Sequence, residues 1–338
     1  MTTDPAVTGL VSAERGVGET AVVDALPEFV VVVFAAVTHL ADPWFLFGLL
    51  AVGYWFAGDR LAASPRRAGA TAIAAVTCAY AAVALGKAWF AVPRPPGAMG
   101  PADVPTWLPG LLSAWYEAQV LSDGFGFPSG HATGGAAAYG ALALVYDRAS
   151  TGRRRLLGAG IVAAAVAASR VVIEVHYLVD VLVGVLLGGA VVVVALWLAG
   201  DPRFRGSGSG PAGTTSGLDR TDPTADLDPT PAFLLAAVVS VAAAGVAVAN
   251  GQTSEVVEAG IGIATGVGGA VGWLLVDGDE PAVPVRVALP ALVVTGALWV
   301  GAYALAGSFL VTLVATTAAV VGVVAMPAVP PLVERVGA

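Results

Sequence analysis

Long apolar stretches alternate with short polar connections along most of this chain. Eight windows contain almost no charged side chain; they cover residues 68–90, 130–146, 156–173, 178–198, 232–249, 256–276, 287–306 and 309–324. A helix needs about 20 apolar residues to cross the ~30 Å hydrocarbon core of a bilayer, and these windows approach or reach that length. With the shorter apolar window 44–57 in front of them, the pattern predicts about nine transmembrane helices.

The first part of the apolar pattern is the least regular. Residues 29–37 are apolar but too few to cross a bilayer alone, and the polar sequence THLADP separates them from the window 44–57. We interpret 29–37 as an interfacial helix or as an upstream extension of the first span. We expect residues 1–40 to form an N-terminal segment with an interfacial helix, and we expect no cleavable leader sequence there because no basic region leads into an apolar core.

Composition agrees with this pattern. Hydrophobic residues make up 57% of the chain and charged residues 12%, against about 25% charged residues in an average soluble domain. The fold class that follows is an all-α polytopic membrane helix bundle. The net charge of -8 with a single lysine resembles that of proteins from salt-loving archaea. The chain has no basic patch of the kind that binds nucleic acid, and the single Cys78 excludes an intrachain disulfide.

A segment rich in Gly, Pro, Ser, Thr and Asp divides the apolar windows into two blocks. We expect residues 200–231 to form a flexible cytoplasmic linker, because this composition cannot bury an apolar core. Residues 41–199 would then form a catalytic membrane core, and 232–338 a C-terminal block of four helices. In the C-terminal block, Glu255 and Glu258 are interpreted as a solvated helix start, where carboxylates favour the positive end of the helix dipole.

The basic residues predict an orientation. Most of them fall on alternate connections, which the positive-inside tendency assigns to the cytoplasm; they are Arg60, Arg66, Arg67, Arg148, Arg153, Arg154, Arg155, Arg203, Arg205, Arg220, Arg286 and Arg335. The N-terminus is then extracytoplasmic and the C-terminus cytoplasmic. Lys87, Arg94 and Arg170 lie on the opposite side, which otherwise carries only Arg15, and this indicates that they hold a specific anion.

Three polar clusters fall on this extracytoplasmic side. The first contains Lys87 and Arg94, the second Ser129, Gly130 and His131, and the third Arg170, His176 and Asp180. Taken singly, each residue has a structural explanation, such as a lysine that reaches the headgroups, an N-cap serine or a satisfied polar pair. Their coincidence at one end of the predicted spans favours a functional site.

The residue types in these clusters suit phosphoryl transfer. Three cations and the free N–H groups of a helix that begins at Ser129 to His131 suit a compact, multiply charged anion such as phosphate. Two histidines supply a nucleophile and a general acid. His176 is the better nucleophile, because Asp180, four residues on, can accept its other ring N–H. His131 has no carboxylate nearby in sequence and is assigned as the acid.

The complete pattern, Lys87-x6-Arg94-Pro95, Pro128-Ser129-Gly130-His131 and Ser169-Arg170-x5-His176-x3-Asp180, resembles the three-part signature of the type 2 phosphatidic acid phosphatase superfamily. The resemblance implies that Lys87, Arg94, Ser129, Gly130 and Arg170 bind phosphate, and that His176 forms a phosphohistidine. It further implies His131 as general acid, Asp180 as the support of His176, and no metal or other cofactor. The layout of about nine spans is similar to the glucose-6-phosphatase branch, whereas many lipid-phosphatase members have a six-span core.

The expected function is therefore hydrolysis of a phosphomonoester or diphosphate at the extracytoplasmic side of the cell membrane. Apolar flanks favour a lipid or isoprenoid phosphate as substrate, and the nine-span layout favours a soluble sugar phosphate. The connection 96–127, with Trp107, Trp115 and Tyr116, is interpreted as a lid or access rim, or as a plain interfacial loop. A phosphotransferase using the same histidine and, more remotely, a transporter remain open, as does the oligomeric state.

Overall fold

The computed structural model describes residue 16 and residues 22–204, 223–276, 282–305 and 308–330. Within these ranges the chain is helical and contains no β-strand, so the predicted all-α class is confirmed. The middle of the predicted linker, the C-terminal end, and Arg205, Arg220 and Arg335 lie outside the described residues.

The helices follow the apolar windows closely. In chain order they are α1 (Glu28–Val37), α2 (Pro43–Phe56), α3 (Pro65–Phe90), α4 (Gly110–Val120), α5 (Gly130–Val145), α6 (Gly152–Val172), α7 (Leu178–Ala199), α8 (Thr230–Ala249), α9 (Thr253–Trp273), α10 (Val285–Leu305) and α11 (Phe309–Ala325). Short 3-10 turns cover Thr38–Ala41, Pro96–Met99 and Met326–Ala328.

The described helices support a multi-pass membrane protein but do not confirm nine spans. Six of them are long and apolar enough to cross a bilayer, or seven if α1 and α2, which are bent by 48° to one another, count as one span. The 16-residue α5 extends only about 24 Å at 1.5 Å per residue, and it packs inside the bundle. Residues 29–37 lie in α1, the first helix of this bent pair.

Helix α3 lies at the centre of the bundle. It packs against α2, α5, α7, α8 and α9, and it is the most completely buried of the membrane-length helices. Its buried positions are mostly alanine, glycine and threonine, and such small residues let neighbouring helices approach closely in lipid. Because α3 packs closely against five other helices, its last turn, which carries Lys87, lies among them.

Two glycines on α7 determine how closely it approaches α5. A Cβ atom on Gly184 would lie 2.9 Å from the Ser129 carbonyl oxygen, and one on Gly188 would lie 2.4 Å from the Thr133 carbonyl oxygen. Neither position can therefore carry a side chain without a shift of the backbone. The close contact aligns the N-terminal ends of the two helices, and Ser129 N–H donates to the Asp180 carbonyl at 3.1 Å.

The C-terminal block packs directly on the N-terminal core. Helices α8 and α9 lie against α3, and α11 lies against α9. Tyr54 Oη donates to the Val324 carbonyl at 2.6 Å, and Asn250 Nδ2 donates to the Ala88 carbonyl at 3.2 Å. The two blocks predicted from the sequence are therefore joined along their helices, with contacts at both ends of α3.

Candidate active site

The candidate residues gather at one end of the bundle because of the directions of four helices. Helices α3 and α6 end there, and α5 and α7 begin there. The opposite end holds arginines that bind backbone carbonyls, such as Arg67 to Leu227 at 3.0 Å and Arg155 to Ala143 at 2.8 Å. The bundle thus separates the predicted anion site from most of the basic residues.

His176 lies in the turn between α6 and α7, and its side chain is buried. Its Nδ1 is 2.7 Å from the Gly126 carbonyl oxygen. A carbonyl can only accept a hydrogen bond, so the ring proton is assigned to Nδ1. Nε2 then carries the lone pair, and it accepts a hydrogen bond from Arg94 Nη1 at 3.0 Å.

Asp180 supports His176 less directly than the sequence indicates. Its Oδ2 lies 3.6 Å from His176 Nδ1, an ion-pair distance, and accepts the Tyr177 backbone N–H at 3.0 Å. The carbonyl of Gly126 occupies the hydrogen-bonding role that we expected for Asp180. The reason is that His176 lies before the first turn of α7, where the spacing of four residues does not place two side chains on one helix face.

Arg94 and Arg170 are both buried near His176, with exposures of 9% and 5%. Arg94 donates from Nε to the Asp123 carbonyl at 2.8 Å and from Nη1 to the Val175 carbonyl at 3.1 Å. Arg170 Nη1 donates to Thr38 Oγ1 at 2.5 Å, and its buried Nε has no hydrogen-bond partner among the described residues. A buried N–H group of this kind favours binding of an acceptor such as a phosphate oxygen.

Burial and charge act together on the groups in these connections. The pKa of Arg94 is lowered, chiefly by burial. The pKa of His176 is lowered well below its ordinary value, first by burial and then by the charges of Arg94 and Arg170. His176 is therefore held neutral, in the form that has a lone pair for attack, while two cations beside it attract an anion.

His131 contacts a carboxylate that the sequence analysis did not identify. Its Nε2 is 2.9 Å from Asp42 Oδ1, and the other oxygen of Asp42 lies 2.5 Å from His39 Nδ1. Both new residues belong to THLADP, at the break between α1 and α2. The sequence could have identified them, because a histidine and an aspartate interrupt an apolar stretch there. Polar side chains at membrane depth cost free energy, so those that occur usually have a functional role.

Ser129 and Gly130 begin α5 at this end. Ser129 is buried, and its Oγ caps the helix by accepting the Ala132 N–H at 3.5 Å. A Cβ on Gly130 would meet Val83 at an ordinary 3.6 Å, so packing against Val83 does not require glycine there. Gly86 is more constrained, since a Cβ on it would lie 2.6 Å from Pro128, and its absence lets the turn before α5 contact α3.

Lys87 lies toward the C-terminal block, where its Nζ is 3.2 Å from Glu258 Oε2. Neighbouring Glu255 is only 2% exposed, so the interpretation of both glutamates as a solvated helix start is wrong for Glu255. The turn at Gly124 lies against this carboxylate, because a Cβ on Gly124 would be 3.9 Å from Glu255 Oε1. The C-terminal block therefore contributes two carboxylates beside the predicted phosphate site.

The aromatic connection 96–127 packs onto α1 and the turn after α6. Tyr116 and Leu108 share an apolar cluster with Ala35, Ile173 and Val175. Trp115 Nε1 donates to His39 Nε2 at 2.8 Å, and Trp107 Nε1 donates to Glu28 Oε2 at 2.7 Å. The segment is thus hydrogen-bonded, through His39 and Asp42, to the candidate general acid.

Comparison with protein families identifies a relationship for part of the chain. Residues 68–203 match the family model described as the PAP2 superfamily. No curated protein and no solved structure matches the chain. The matched segment contains all eight candidate residues predicted from the sequence but neither Asp42 nor Glu258, and the assignment to the glucose-6-phosphatase branch stays a prediction. The segment 68–203 is thus similar to the PAP2 superfamily, whose members are phosphatases.

Proposed function

We propose that this protein is an integral-membrane phosphatase that hydrolyses a phosphomonoester or diphosphate through a phosphohistidine on His176. The observation that carries the proposal is the 3.0 Å contact between Arg94 Nη1 and His176 Nε2. A phosphate oxygen that accepts this Arg94 N–H in place of Nε2 frees the nucleophilic lone pair and brings phosphorus next to it.

In the first half of the reaction, His176 Nε2 attacks phosphorus and the bond from phosphorus to the leaving oxygen breaks. Arg94, Arg170 and Lys87 stabilise the negative charge on the other phosphate oxygens. The N-terminus of α5 adds the backbone N–H of Gly130 for the same purpose, whereas the Ser129 N–H donates to the Asp180 carbonyl. Asp180 lies close enough to stabilise the positive charge that His176 acquires.

His131 supplies the proton transfers. As an imidazolium it protonates the leaving oxygen, and the neutral ring that remains accepts a proton from water in the second half of the reaction. Water attacks the phosphohistidine, the bond from nitrogen to phosphorus breaks, and inorganic phosphate is released. An alcohol in place of water would give phosphoryl transfer at the same site.

A lipid or isoprenoid phosphate is the substrate class that the surroundings of the site favour. Trp44, Trp89 and Trp107 are exposed and lie near the site residues in sequence. Tryptophan prefers the interface between hydrocarbon and water, so these side chains support a site at headgroup level. A phosphate on a membrane-anchored substrate reaches that level by lateral diffusion. The arginines at the other end support an extracytoplasmic site and a cytoplasmic C-terminus.

The test is phosphate release by the purified full-length protein in detergent, in high salt and excess chelator. The panel pairs phosphatidic acid, phosphatidylglycerophosphate and an isoprenyl diphosphate with glucose 6-phosphate, and His176→Ala is the blank. We expect turnover of the lipids, which ends with His176→Ala. Preference for the sugar phosphate would instead support the glucose-6-phosphatase-like function. No release from any substrate would overturn the hydrolase and leave the transporter to be tested.

A further inference from the structure

Asp42 receives hydrogen bonds from three aromatic side chains. His131 Nε2 lies 2.9 Å from Oδ1, whereas His39 Nδ1 at 2.5 Å and Trp44 Nε1 at 2.9 Å contact Oδ2. Both carboxylate oxygens are used, and the side chain is partly buried. A carboxylate that accepts several hydrogen bonds is held in its ionised form.

The direction of each hydrogen bond follows from one group that can only donate. The indole N–H of Trp115 donates to His39 Nε2, at 2.8 Å. His39 therefore carries its own proton on Nδ1 and donates it to Asp42. Since Asp42 is then an acceptor, His131 directs its Nε2–H toward Asp42, and His131 Nδ1 is the ring atom left to exchange a proton with substrate.

A purely structural role as a helix cap does not explain this arrangement. Asp42 occupies the N-cap position of α2, directly before Pro43, but its side chain accepts no hydrogen bond from the backbone of that helix. An aspartate in this position ordinarily binds the N–H groups of the first turn. Here the carboxylate contacts His131 of α5, 89 residues away in sequence.

We propose that Asp42 is the positioning residue of the general acid His131, and that His39 and Trp115 hold Asp42 in place. This inference rests on the proposed function. Asp42 fixes the ring of His131 and stabilises its protonated form. The proton on Nδ1 passes to the leaving oxygen while the N–H electron pair stays on the ring, and Nε2 keeps its proton. Water later returns a proton to Nδ1, and Asp42 stays ionised throughout.

The experiment compares two substrates, an alkyl phosphate, which has a poor leaving group, and 2,4-dinitrophenyl phosphate, which needs no acid. We expect Asp42→Asn to lower kcat/KM for the alkyl phosphate about 100-fold or more, as general acid catalysis contributes about 10²–10⁴-fold. The aryl substrate should lose less than about 5-fold, because its leaving group departs unprotonated. Glu28→Gln is the control, since Glu28 contacts Trp107 and has no contact with His131.

A double-mutant cycle shows whether Asp42 acts through His131. In a His131→Ala background, Asp42→Asn should change alkyl turnover by less than about 2-fold, because residues that act as a unit are not additive. If Asp42→Asn does not give folded protein, His39→Ala provides the same comparison, with a smaller selective loss of alkyl turnover.

Three results would contradict the inference. Equal losses of kcat/KM on both substrates would indicate a structural role. If Asp42→Asn lowers alkyl turnover as much in the His131→Ala background as in the wild-type protein, Asp42 acts independently of His131. If Asp42→Asn or His39→Ala matches Glu28→Gln, the contact has no role in the reaction. By contrast, unchanged alkyl turnover in His131→Ala alone would overturn the acid assignment of the proposed function itself, and the inference with it.

Discussion

Lys87 Nζ and Glu258 Oε2 lie 3.2 Å apart, in an ion pair that joins the predicted phosphate site to the C-terminal block. The Lys87 side chain is 13% exposed and that of Glu258 is 49% exposed. A phosphate that binds to Lys87 must therefore compete with a carboxylate of the same chain. This is the clearest connection between the C-terminal block and the site.

Glu258→Gln should tighten anion binding, because it removes this competitor. Partly exposed ion pairs are worth about 0.2–1 kcal/mol, so we expect the vanadate inhibition constant to fall by about 1.5- to 5-fold at low salt. The difference should shrink as sodium chloride screens the pair. Glu117→Gln, an exposed glutamate of α4, is the control. Weaker inhibition of Glu258→Gln by vanadate would show that Glu258 helps to bind the anion.

The proposed intermediate should be directly detectable. His131→Ala removes the group that accepts a proton from water in the second step, so a labelled aryl phosphate should leave its phosphoryl group on the protein. We expect acid-labile, base-stable label after a denaturing quench, as is usual for phosphohistidine. The double variant His131→Ala with His176→Ala should carry none. Label that persists in the double variant would place the nucleophile elsewhere.

Activity should persist to lower pH than an ordinary histidine allows. Burial, then the charges of Arg94 and Arg170, lower the pKa of His176. A lower pKa keeps the ring neutral in more acidic solution, so the acid limb of kcat/KM should lie below pH ~6.5. Because the substrate phosphate also titrates, its pKa is measured separately by ³¹P NMR and compared with the acid limb.

The Arg94→Gln variant tests whether the charge of Arg94 lowers the pKa of His176. Arg94→Gln should move the acid limb of the remaining activity upward, because the neutral residue no longer disfavours protonation of His176. An acid limb that does not move would show that Arg94 has no electrostatic effect on the nucleophile.

The close contact of α5 and α7 should depend on Gly188. A Cβ at this position would lie 2.4 Å from the Thr133 carbonyl oxygen, so Gly188→Ala should destabilise the protein by about 1–3 kcal/mol. A Cβ on the adjacent Gly189 would meet no other atom within 4 Å, and Gly189→Ala is the matched control. Thermal unfolding in detergent measures both. Equal melting temperatures would show that the helices do not need this contact.

The residues of the signature could be predicted from the sequence because the members of each cluster lie close together along the chain. Arg170, His176 and Asp180 are close along the chain, and the alternation of spans places the three clusters at one end. The hydrogen bond expected between His176 and Asp180 depended on a helical register. It is replaced by a bond to Gly126, because the helix begins only at Leu178.

Contacts between distant segments could not be predicted in the same way. Asp42 and His131 are 89 residues apart, and Lys87 and Glu258 are 171 residues apart. No periodicity or spacing links such pairs, and only the packed bundle determines which helix ends meet. The number of spans was equally uncertain from hydropathy, since a helix as short as α5 is apolar whether it crosses the bilayer or is enclosed by other helices.

The break between α1 and α2 has a consequence for how proteins with this signature are compared. Asp42 and His39, which we propose to position the general acid, lie at that break, outside the segment 68–203 that the family model matches. Chains with an identical signature but an unbroken first helix would share the nucleophile and lack this partner of the acid. Such relatives would differ in the range of leaving groups that they accept, and comparison of their signatures would not reveal the difference.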